Sequence, residues 1–321
     1  MTQALAQREP RDDDRATPVR KPVWSQSGRQ IFAFDRRDLR AVADHAIAET
    51  RQAFPGRFES RTEVQHMLDR ICLPASERWA YMVLPKAATT TTLALLFEAE
   101  FGVPFTARAT MPTDPNPDTG LHSLMQHNIF TTALKLPRSL PDLAADPRLE
   151  RIAVVRHPEL RAASAFEYVC LSNDEAKWFF FPDRAKMSAL FGLNFETMAR
   201  SSDGFVRFLE YVAADLATNP VFAVNFHWRP QARLLLPDLF RPTLVGKVEA
   251  YGAFRRALFE RLGRPDPGET PRRNGYASGD RGRLFADPAA QRLVRAIYAT
   301  DYEAFGYEPG EYADAPPRLD G

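Results

Sequence analysis

Three short runs of apolar residues stand out along the chain, at residues 78–84, 151–156 and 243–246. Each run is shorter than a typical helix, and the first two end at Pro85 and at the pair His157-Pro158. Short, nearly continuous apolar runs that end in this way are typical of buried strands in a parallel sheet. We therefore predict a strand over each of the three runs.

Apolar residues recur at helical spacing through much of the remaining chain. The pattern predicts helices over residues 38–54, 61–71, 89–101, 158–171, 205–216, 229–236, 249–262 and 287–305. Gly102 follows the third helix and Pro158 begins the fourth, in the positions that these residue types favour. Because strands alternate with helices, we predict one α/β domain built around a mostly parallel central sheet.

The ends of the chain differ from its centre in composition. Residues 1–30 are polar and charged, so we interpret them as a disordered arm. We interpret residues 31–75 as a helical extension packed on the core, residues 76–310 as the main domain, and residues 311–321 as a tail.

The overall composition is that of a globular protein, with 45% hydrophobic and 26% charged residues in a chain of 321. The net charge of +1 lacks the basic excess of proteins that coat nucleic acids or bind membrane surfaces. The only two cysteines, Cys72 and Cys170, exclude a disulfide framework and fit a reducing compartment. We find neither a secretory signal nor an apolar run of membrane-spanning length, so we expect a cytoplasmic protein.

The loop after the first predicted strand has the composition of an anion site. Its residues, together with those that open the next helix, are Pro85, Lys86, Ala87, Ala88, Thr89, Thr90 and Thr91. A helix N-terminus presents unpaired N–H groups and the positive end of the helix dipole, and small residues let an anion approach the backbone. The lysine adds a full charge, while the threonine hydroxyls can either bind a phosphate or cap the helix. The glycines of a Walker A loop are absent, which disfavours a nucleoside triphosphatase or a P-loop kinase.

A second basic residue ends the next predicted strand. Arg156 closes that strand, and Ser164 lies in the helix that follows. Ligands of parallel α/β sheets gather at the carboxyl ends of the strands, so Arg156 and Lys86 can serve one ligand. The planar guanidinium of arginine suits a phosphate. The alternative is a solvated arginine and a helix serine without a ligand.

Several segments of the chain resemble motifs of the PAPS-dependent sulfotransferases, and of their carbohydrate sulfotransferase branch in particular. In the family's order they are residues 85–90 (PKAATT), 156–166 (RHPELRAASAF), 227–231 (HWRPQ), 245–249 (VGKVE) and 298–307 (YATDYEAFGY). The resemblance implies a P-loop-like three-layer fold with a central mostly parallel sheet, and a sulfotransferase domain over residues 76–310. Secreted relatives carry cysteines where this chain has residues 234–236 (LLL), which fits a cytoplasmic, bacterial member.

The resemblance implies that a sulfuryl group passes in line from PAPS to a hydroxyl of a carbohydrate or glycoconjugate, with PAP as the other product. It places Lys86 on the bridging oxygen of the donor, residues 85–91 around the 5′-phosphate, and Arg156 with Ser164 on the 3′-phosphate. Positioning and charge stabilisation then provide most of the catalysis. No metal is needed, and the histidines and cysteines show no metal-ligand spacing.

A basic turn, Arg272-Arg273, precedes the last predicted helix. Related folds close a basic loop over the 3′-phosphate of the donor, so the resemblance implies that one of these arginines contacts it. A solvated pair of arginines fits the sequence equally well.

An acceptor hydroxyl needs a base, and histidine suits this role near neutral pH. In some relatives that transfer to sugars, a histidine between the two donor motifs is the base, and His122 and His127 occupy this interval. We prefer His122, with His127 second, and a carboxylate such as Glu167 or Glu175 stays open. His157, within the second motif, is expected to be structural.

Three further residues are candidates for acceptor binding. His227 and Arg229 belong to the HWRPQ segment, although a packed histidine is an equally open interpretation of His227. Trp178 begins an aromatic stretch that can form a platform for a sugar, part of the core, or a lid.

Two other functions remain open at this stage. The chain can be a relative that binds a nucleotide or glycan without catalysis, or a sulfotransferase whose acceptor is a small non-sugar metabolite with a hydroxyl. The sequence leaves both the acceptor and the oligomeric state undetermined, and it gives no sign of a nucleic-acid partner.

Overall fold

Five strands form one central sheet in a computed structural model, which describes residues 39–107, 111–116, 118–125, 128–136, 138–268 and 281–310. The strands are β1 (Ile71–Pro74), β2 (Trp79–Met82), β3 (Phe130–Thr132), β4 (Glu150–Val155) and β5 (Leu244–Lys247). Their order across the sheet is β3-β1-β2-β4-β5. β2, β4 and β5 pair in parallel, whereas β1 runs antiparallel to both of its neighbours. The predicted α/β class with a mostly parallel central sheet is confirmed.

Helices precede, connect and follow these strands. In chain order they are α1 (Leu39–Ala53), α2 (Arg61–Leu68), α3 (Thr89–Phe101), α4 (Leu140–Ala145), α5 (Pro158–Asp174), α6 (Phe181–Phe191), α7 (Ser202–Thr218), α8 (Gln231–Leu235), α9 (Pro237–Phe240), α10 (Tyr251–Arg261), α11 (Pro288–Ile297) and α12 (Ala299–Phe305). Short 3-10 turns occur at Thr119–Met125, Ala133–Lys135, Val221–Ala223, Val248–Ala250 and Arg281–Phe285. None of the helices in the described part of the chain is long and apolar enough to cross a membrane.

The sheet begins earlier than the sequence pattern predicts. The helix predicted over residues 61–71 ends at Leu68, because Asp69 and Arg70 turn the chain through hydrogen bonds to the carbonyls of Gln65 and Met67. β1 then pairs with β2 as a hairpin, with Ile71 opposite Met82. Within the predicted helical extension over residues 31–75, residues 71–74 are therefore a strand of the central sheet. Four buried apolar residues that follow a helical pattern do not by themselves distinguish a strand from the end of a helix.

Other boundaries also differ from the prediction. The helix predicted over 287–305 is two helices, α11 and α12, that meet at Tyr298. The helix predicted over 229–236 shortens to α8, because Pro230 begins it. The short elements β3 and α4, and the whole of α6, were not predicted. Residues 1–30 and 311–321, predicted as an arm and a tail, lie outside the described residues.

Two hydrophobic clusters hold the described part of the chain together. The first surrounds the sheet and includes Ala46, Ile47 and Val64 from α1 and α2. The second lies among α5, α7 and α11, where Trp228 is fully buried against Phe208 and Tyr211. The loops between the strands and these helices meet at the carboxyl ends of β2 and β4, where the sequence places its two anion motifs.

Candidate active site

The loop over residues 85–88, which we call the anion loop, joins β2 to α3 in an uncommon backbone conformation. Lys86 and Ala88 both have positive φ, at 64° and 56°. Left-handed residues other than glycine are uncommon and concentrate at functional turns. The first helical hydrogen bond of α3 runs from Thr92 N to Ala88 O at 2.9 Å. The N–H groups of Thr89, Thr90 and Thr91 therefore have no partner within the helix, as an anion site requires.

The threonines of this turn divide into two pairs. The Thr89 hydroxyl donates to Leu84 O at 2.6 Å, and the Thr92 hydroxyl donates to Ala88 O at 3.0 Å. These bonds close the anion loop onto its helix. The hydroxyls of Thr90 and Thr91 form no hydrogen bond with the described residues, so they are the ones available to a bound anion.

Arg156, at the end of β4, lies beside the anion loop. Its Nη1 donates to Lys86 O at 3.2 Å. The amide of Gln231 clamps its backbone: Arg156 N donates to Gln231 Oε1 at 2.9 Å, and Gln231 Nε2 donates to Arg156 O at 2.8 Å. Ser164 lies on α5 and is buried. The structure thus brings the two sequence motifs into direct contact.

Arg161 is the buried link between the anion loop and the HWRPQ segment. It is 1% exposed and makes three hydrogen bonds to backbone carbonyls. Its Nε, Nη1 and Nη2 donate to Pro85 O at 3.1 Å, Arg229 O at 2.9 Å and Phe226 O at 3.1 Å. Burial lowers the pKa of the guanidinium, and the nearby Asp301 raises it. Its position inside the motif of residues 156–166 did not indicate this role.

The closing motif at residues 298–307 holds the HWRPQ segment in place through hydrogen bonds. Asp301 is fully buried and accepts from Gln231 N at 2.9 Å and Ala232 N at 2.7 Å. Tyr298 donates its hydroxyl proton to Trp228 O at 2.9 Å. These contacts fix the start of α8, and through Gln231 they fix Arg156.

The VGKVE segment performs a similar role for the second motif. Glu249 accepts from His157 N at 2.8 Å and from the Tyr307 hydroxyl at 2.9 Å. His157 caps α5, with Nδ1 accepting from Glu159 N at 3.3 Å and Nε2 paired with Glu308 O at 3.0 Å. Both ring nitrogens are thus engaged in holding the fold. Gly246 is required because a Cβ there would lie 2.4 Å from the Phe254 ring.

Lys86 belongs to a cluster that also contains His122. Its Nζ lies 3.8 Å from the centre of the Tyr168 ring, and the Tyr168 hydroxyl donates to Asp114 Oδ1. His122 stands on the 3-10 turn Thr119–Met125. Burial lowers the pKa of His122; Asp114 raises it, and the charge of Lys86 lowers it further. A neutral imidazole and an ammonium group therefore share this part of the site.

His227 lies among aromatic rings that include Tyr168, at 5.7 Å between centroids. Its ring packs edge-on against Phe179 and Phe180, at 5.5 and 4.9 Å between centroids. Nδ1 lies 3.0 Å from Asn225 Oδ1, an acceptor, so Nδ1 carries the proton in the neutral ring. Burial, followed by the charges of Lys86 and Arg70, lowers the pKa of His227 well below its usual value.

A cavity of about 700 Å³ opens beside this cluster. Its charged or titratable lining includes Asp69, Arg70, His122, Asp183, Lys186 and Asp215. Val83, two residues before the anion loop, also lines it. The cavity therefore reaches from the end of β2 to α6 and α7, and His122 is the predicted base that faces it.

The remaining predicted residues lie in varied surroundings. Arg229 lines the cavity, but its side chain donates to the carbonyls of Phe222 and Val224. Trp178 is 67% exposed and stacks on Phe181, outside the cavity lining, while the next two aromatics pack on His227. His127, Arg272 and Arg273 lie outside the described residues. No group of three or more His, Cys, Asp or Glu side chains in the described ranges is arranged to hold a metal ion.

Several residues that organise the site escaped the sequence analysis, namely Arg161, Gln231, Asp301, Tyr168 and Asp114. The first three occur inside quoted motifs, so their presence in those motifs was the available signal. Tyr168 and Asp114 lie outside any motif that we identified, and only the folded chain brings them to Lys86.

The comparison with protein families agrees with this geometry. The sequence model of the sulfotransferase family matches residues 74–308, which is most of the chain. The chain therefore belongs to the sulfotransferase family, as the motifs predicted. It is an enzyme whose general reaction is the transfer of a sulfuryl group from a donor to an acceptor. No curated protein and no solved structure gives a match.

Proposed function

We propose that this enzyme transfers a sulfuryl group from PAPS to a hydroxyl of a carbohydrate or glycoconjugate, within a P-loop-like three-layer fold in the cytoplasm. The observation that carries the proposal is the contact between the two anion motifs, in which Arg156 Nη1 donates to Lys86 O. That contact brings the guanidinium of Arg156 to the loop that carries Lys86 and leads into the N-terminus of α3. Such a site suits a nucleotide with phosphates at both ends.

The residues present fit this donor. The free N–H groups of Thr89, Thr90 and Thr91, with two of their hydroxyls, suit the 5′-phosphate, while Arg156 and Ser164 suit the 3′-phosphate. We assign Arg272 or Arg273 to the same 3′-phosphate on the family resemblance. When bound, PAPS supplies the activated sulfuryl group and a phosphate leaving group.

The side chains of the protein then have distinct tasks. Lys86 stabilises the charge that develops on the bridging oxygen as the sulfuryl–oxygen bond breaks. His122 Nε2 or Nδ1 accepts the proton of the acceptor hydroxyl, because the ring is neutral at physiological pH and faces the cavity. His127 is the second candidate for this proton transfer.

The cavity supports a polyhydroxylated acceptor. Asp183 and Asp215 line it together with Asn225, and carboxylate and amide oxygens accept hydrogen bonds from hydroxyl groups. We assign to Trp178 and its aromatic neighbours only the role of a surface platform for the acceptor, beside the cavity.

Binding of PAP by calorimetry tests the donor site. Arg156→Ala removes a charged contact to the 3′-phosphate, so we expect about a 10- to 100-fold weaker Kd than for the wild type. Arg57→Ala is the matched control, because Arg57 is exposed and its ion-pair partner among the described residues is the surface residue Asp238. Equal affinity of Arg156→Ala and wild type would contradict the assignment of the 3′-phosphate.

The pH dependence of kcat/KM tests the base. Because burial lowers the pKa of His122 below 6.5, the ring stays neutral at pH 7, and we expect kcat/KM to fall only below pH 6.5. His122→Asn should lower kcat by about 10²- to 10⁴-fold and abolish that acidic limb. His45→Asn, at an exposed histidine, should leave the profile unchanged. If the His122→Asn enzyme keeps the acidic limb, the base is another residue, and His127 is tested next.

A further inference from the structure

Arg70 lies beside the anion loop, although it precedes the part of the chain that the family model matches. It occupies the turn between α2 and β1, and its carbonyl accepts a hydrogen bond from Val83 N at 3.0 Å. Val83 follows β2 directly and leads into the anion loop. The β1–β2 hairpin thus fixes the backbone of Arg70 next to the donor site.

The Arg70 guanidinium stacks on an aromatic ring at the cavity wall. Its central carbon lies 4.0 Å from the centre of the Phe226 ring, and the residue lines the cavity that His122 also faces. A guanidinium that stacks by one face keeps the N–H groups at its edge for a ligand.

The charge of Arg70 is only partly compensated by its surroundings. Among the described residues it forms no ion pair, and its neighbours include the cations Arg229 and Arg161. Burial and these two cations lower its pKa to about 10. Asp69 opposes this effect, but Asp69 Oδ1 accepts from the Thr132 hydroxyl at 3.2 Å rather than from Arg70. A partly buried cation among other cations is stabilised when an anion binds to it.

The carboxylates of the cavity are already engaged. Asp183 accepts from the Tyr211 hydroxyl at 2.7 Å and from Asn225 Nδ2 at 3.1 Å, and Asp215 accepts from Asn219 Nδ2 at 2.7 Å. These groups lie toward α6 and α7, where hydroxyl groups of a ligand can reach them. Beside Val83, by contrast, the cavity wall carries the charge of Arg70, which Asp69 opposes only in part.

We propose that Arg70 binds an anionic group of the acceptor, a carboxylate or a phosphate, so that this enzyme selects an anionic sugar over its neutral counterpart. The proposal rests on the proposed sulfuryl transfer to a carbohydrate. It assigns the selectivity to a residue that precedes the part of the chain matched by the family model. Arg70 orients the acceptor beside the donor and does not take part in bond breaking.

To test this, three sugar derivatives are titrated as probes into the full-length protein saturated with PAP. The probes are methyl β-D-glucuronide, glucose 6-phosphate and the neutral methyl β-D-glucoside. The readout is the side-chain Nε–H signal of Arg70 in ¹⁵N NMR, assigned by its absence from Arg70→Gln. We expect at least one anionic probe to shift this signal, and we expect the glucoside to leave it unchanged. Which anionic probe binds shows whether the site accepts a carboxylate or a phosphate.

Variants then separate the possible outcomes. Arg70→Gln should weaken binding of the anionic probe at least 10-fold, Arg70→Lys should restore part of it, and Arg57→Gln should match the wild type. The Kd for PAP should change less than twofold in Arg70→Gln. No shift with either anionic probe, an equal shift with all three probes, or a large loss of PAP affinity in Arg70→Gln would each overturn the proposal. If the wild type fails to bind PAP, the donor assignment fails instead, and the same probes applied without PAP still decide the role of Arg70.

Discussion

Replacing Lys86 with methionine is expected to lower kcat for sulfuryl transfer by about 100- to 1,000-fold, the range typical for loss of one preorganised charge at a developing anion. Lys86 lies in a left-handed turn at the start of α3, and its Nζ sits 3.8 Å from the centre of the Tyr168 ring. Methionine has similar length and no charge, so it removes the electrostatic contribution with little change in packing. Initial rates with labelled PAPS, with saturating acceptor, measure the effect.

The control for this experiment is Lys177→Met, which removes a lysine in the segment before α6. It should leave kcat within twofold of the wild type. PAP affinity of Lys86→Met should fall less than kcat does, because Lys86 acts mainly on charge that develops in the transition state. A Lys86→Met enzyme with unchanged kcat would exclude the proposed role of the lysine and leave the family assignment intact.

Replacing Arg161 with methionine is expected to lower the free energy of unfolding by about 3–5 kcal/mol, the range for breaking a buried charged network. The change leaves the carbonyls of Pro85, Phe226 and Arg229 without their donor in the interior. It also removes the positive charge near the buried carboxylate of Asp301. Urea denaturation followed by circular dichroism measures the difference.

Two further variants make the Arg161 result specific. Arg161→Lys keeps the charge but cannot reach three carbonyls at once, so its stability should lie between those of Arg161→Met and the wild type. Arg233→Met, at an exposed position on α8, should change the stability by less than about 0.5 kcal/mol. If Arg161→Met were as stable as Arg233→Met, the hydrogen bonds of Arg161 would not hold the anion loop in place.

The sequence alone was enough to predict the parts of the molecule that depend on local order. Thr89–Phe101 is the helix that the pattern predicted, and each strand predicted at residues 78–84, 151–156 and 243–246 overlaps an observed strand. The family followed from motifs that are short and continuous, so their recognition does not need a fold. β1 escaped prediction because its buried apolar residues follow a helical pattern directly after α2, and β3 because a strand of three residues carries almost no periodicity.

The sequence identified the motif residues, but it did not show which of them bind the ligand and which hold the fold. Asp301, Gln231 and Glu249 were quoted as parts of motifs, and the structure shows that they hold other motifs together through hydrogen bonds. The two residues joined by each of these three bonds lie 70 to 92 positions apart in sequence. No pattern along the chain distinguishes such a residue from one that meets the ligand.

What the sequence determined by itself, therefore, is the α/β class, the sulfotransferase family and the two anion motifs at strand ends, because periodicity and short motifs are properties of neighbouring residues. The tertiary structure decided which side chains surround those motifs. It placed Tyr168 under Lys86, His122 at the cavity wall, and Arg70 beside Val83. These contacts arise where the β1–β2 hairpin and α5 return to the same sheet edge, and that return depends on the packing of the whole core rather than on any local run of residues.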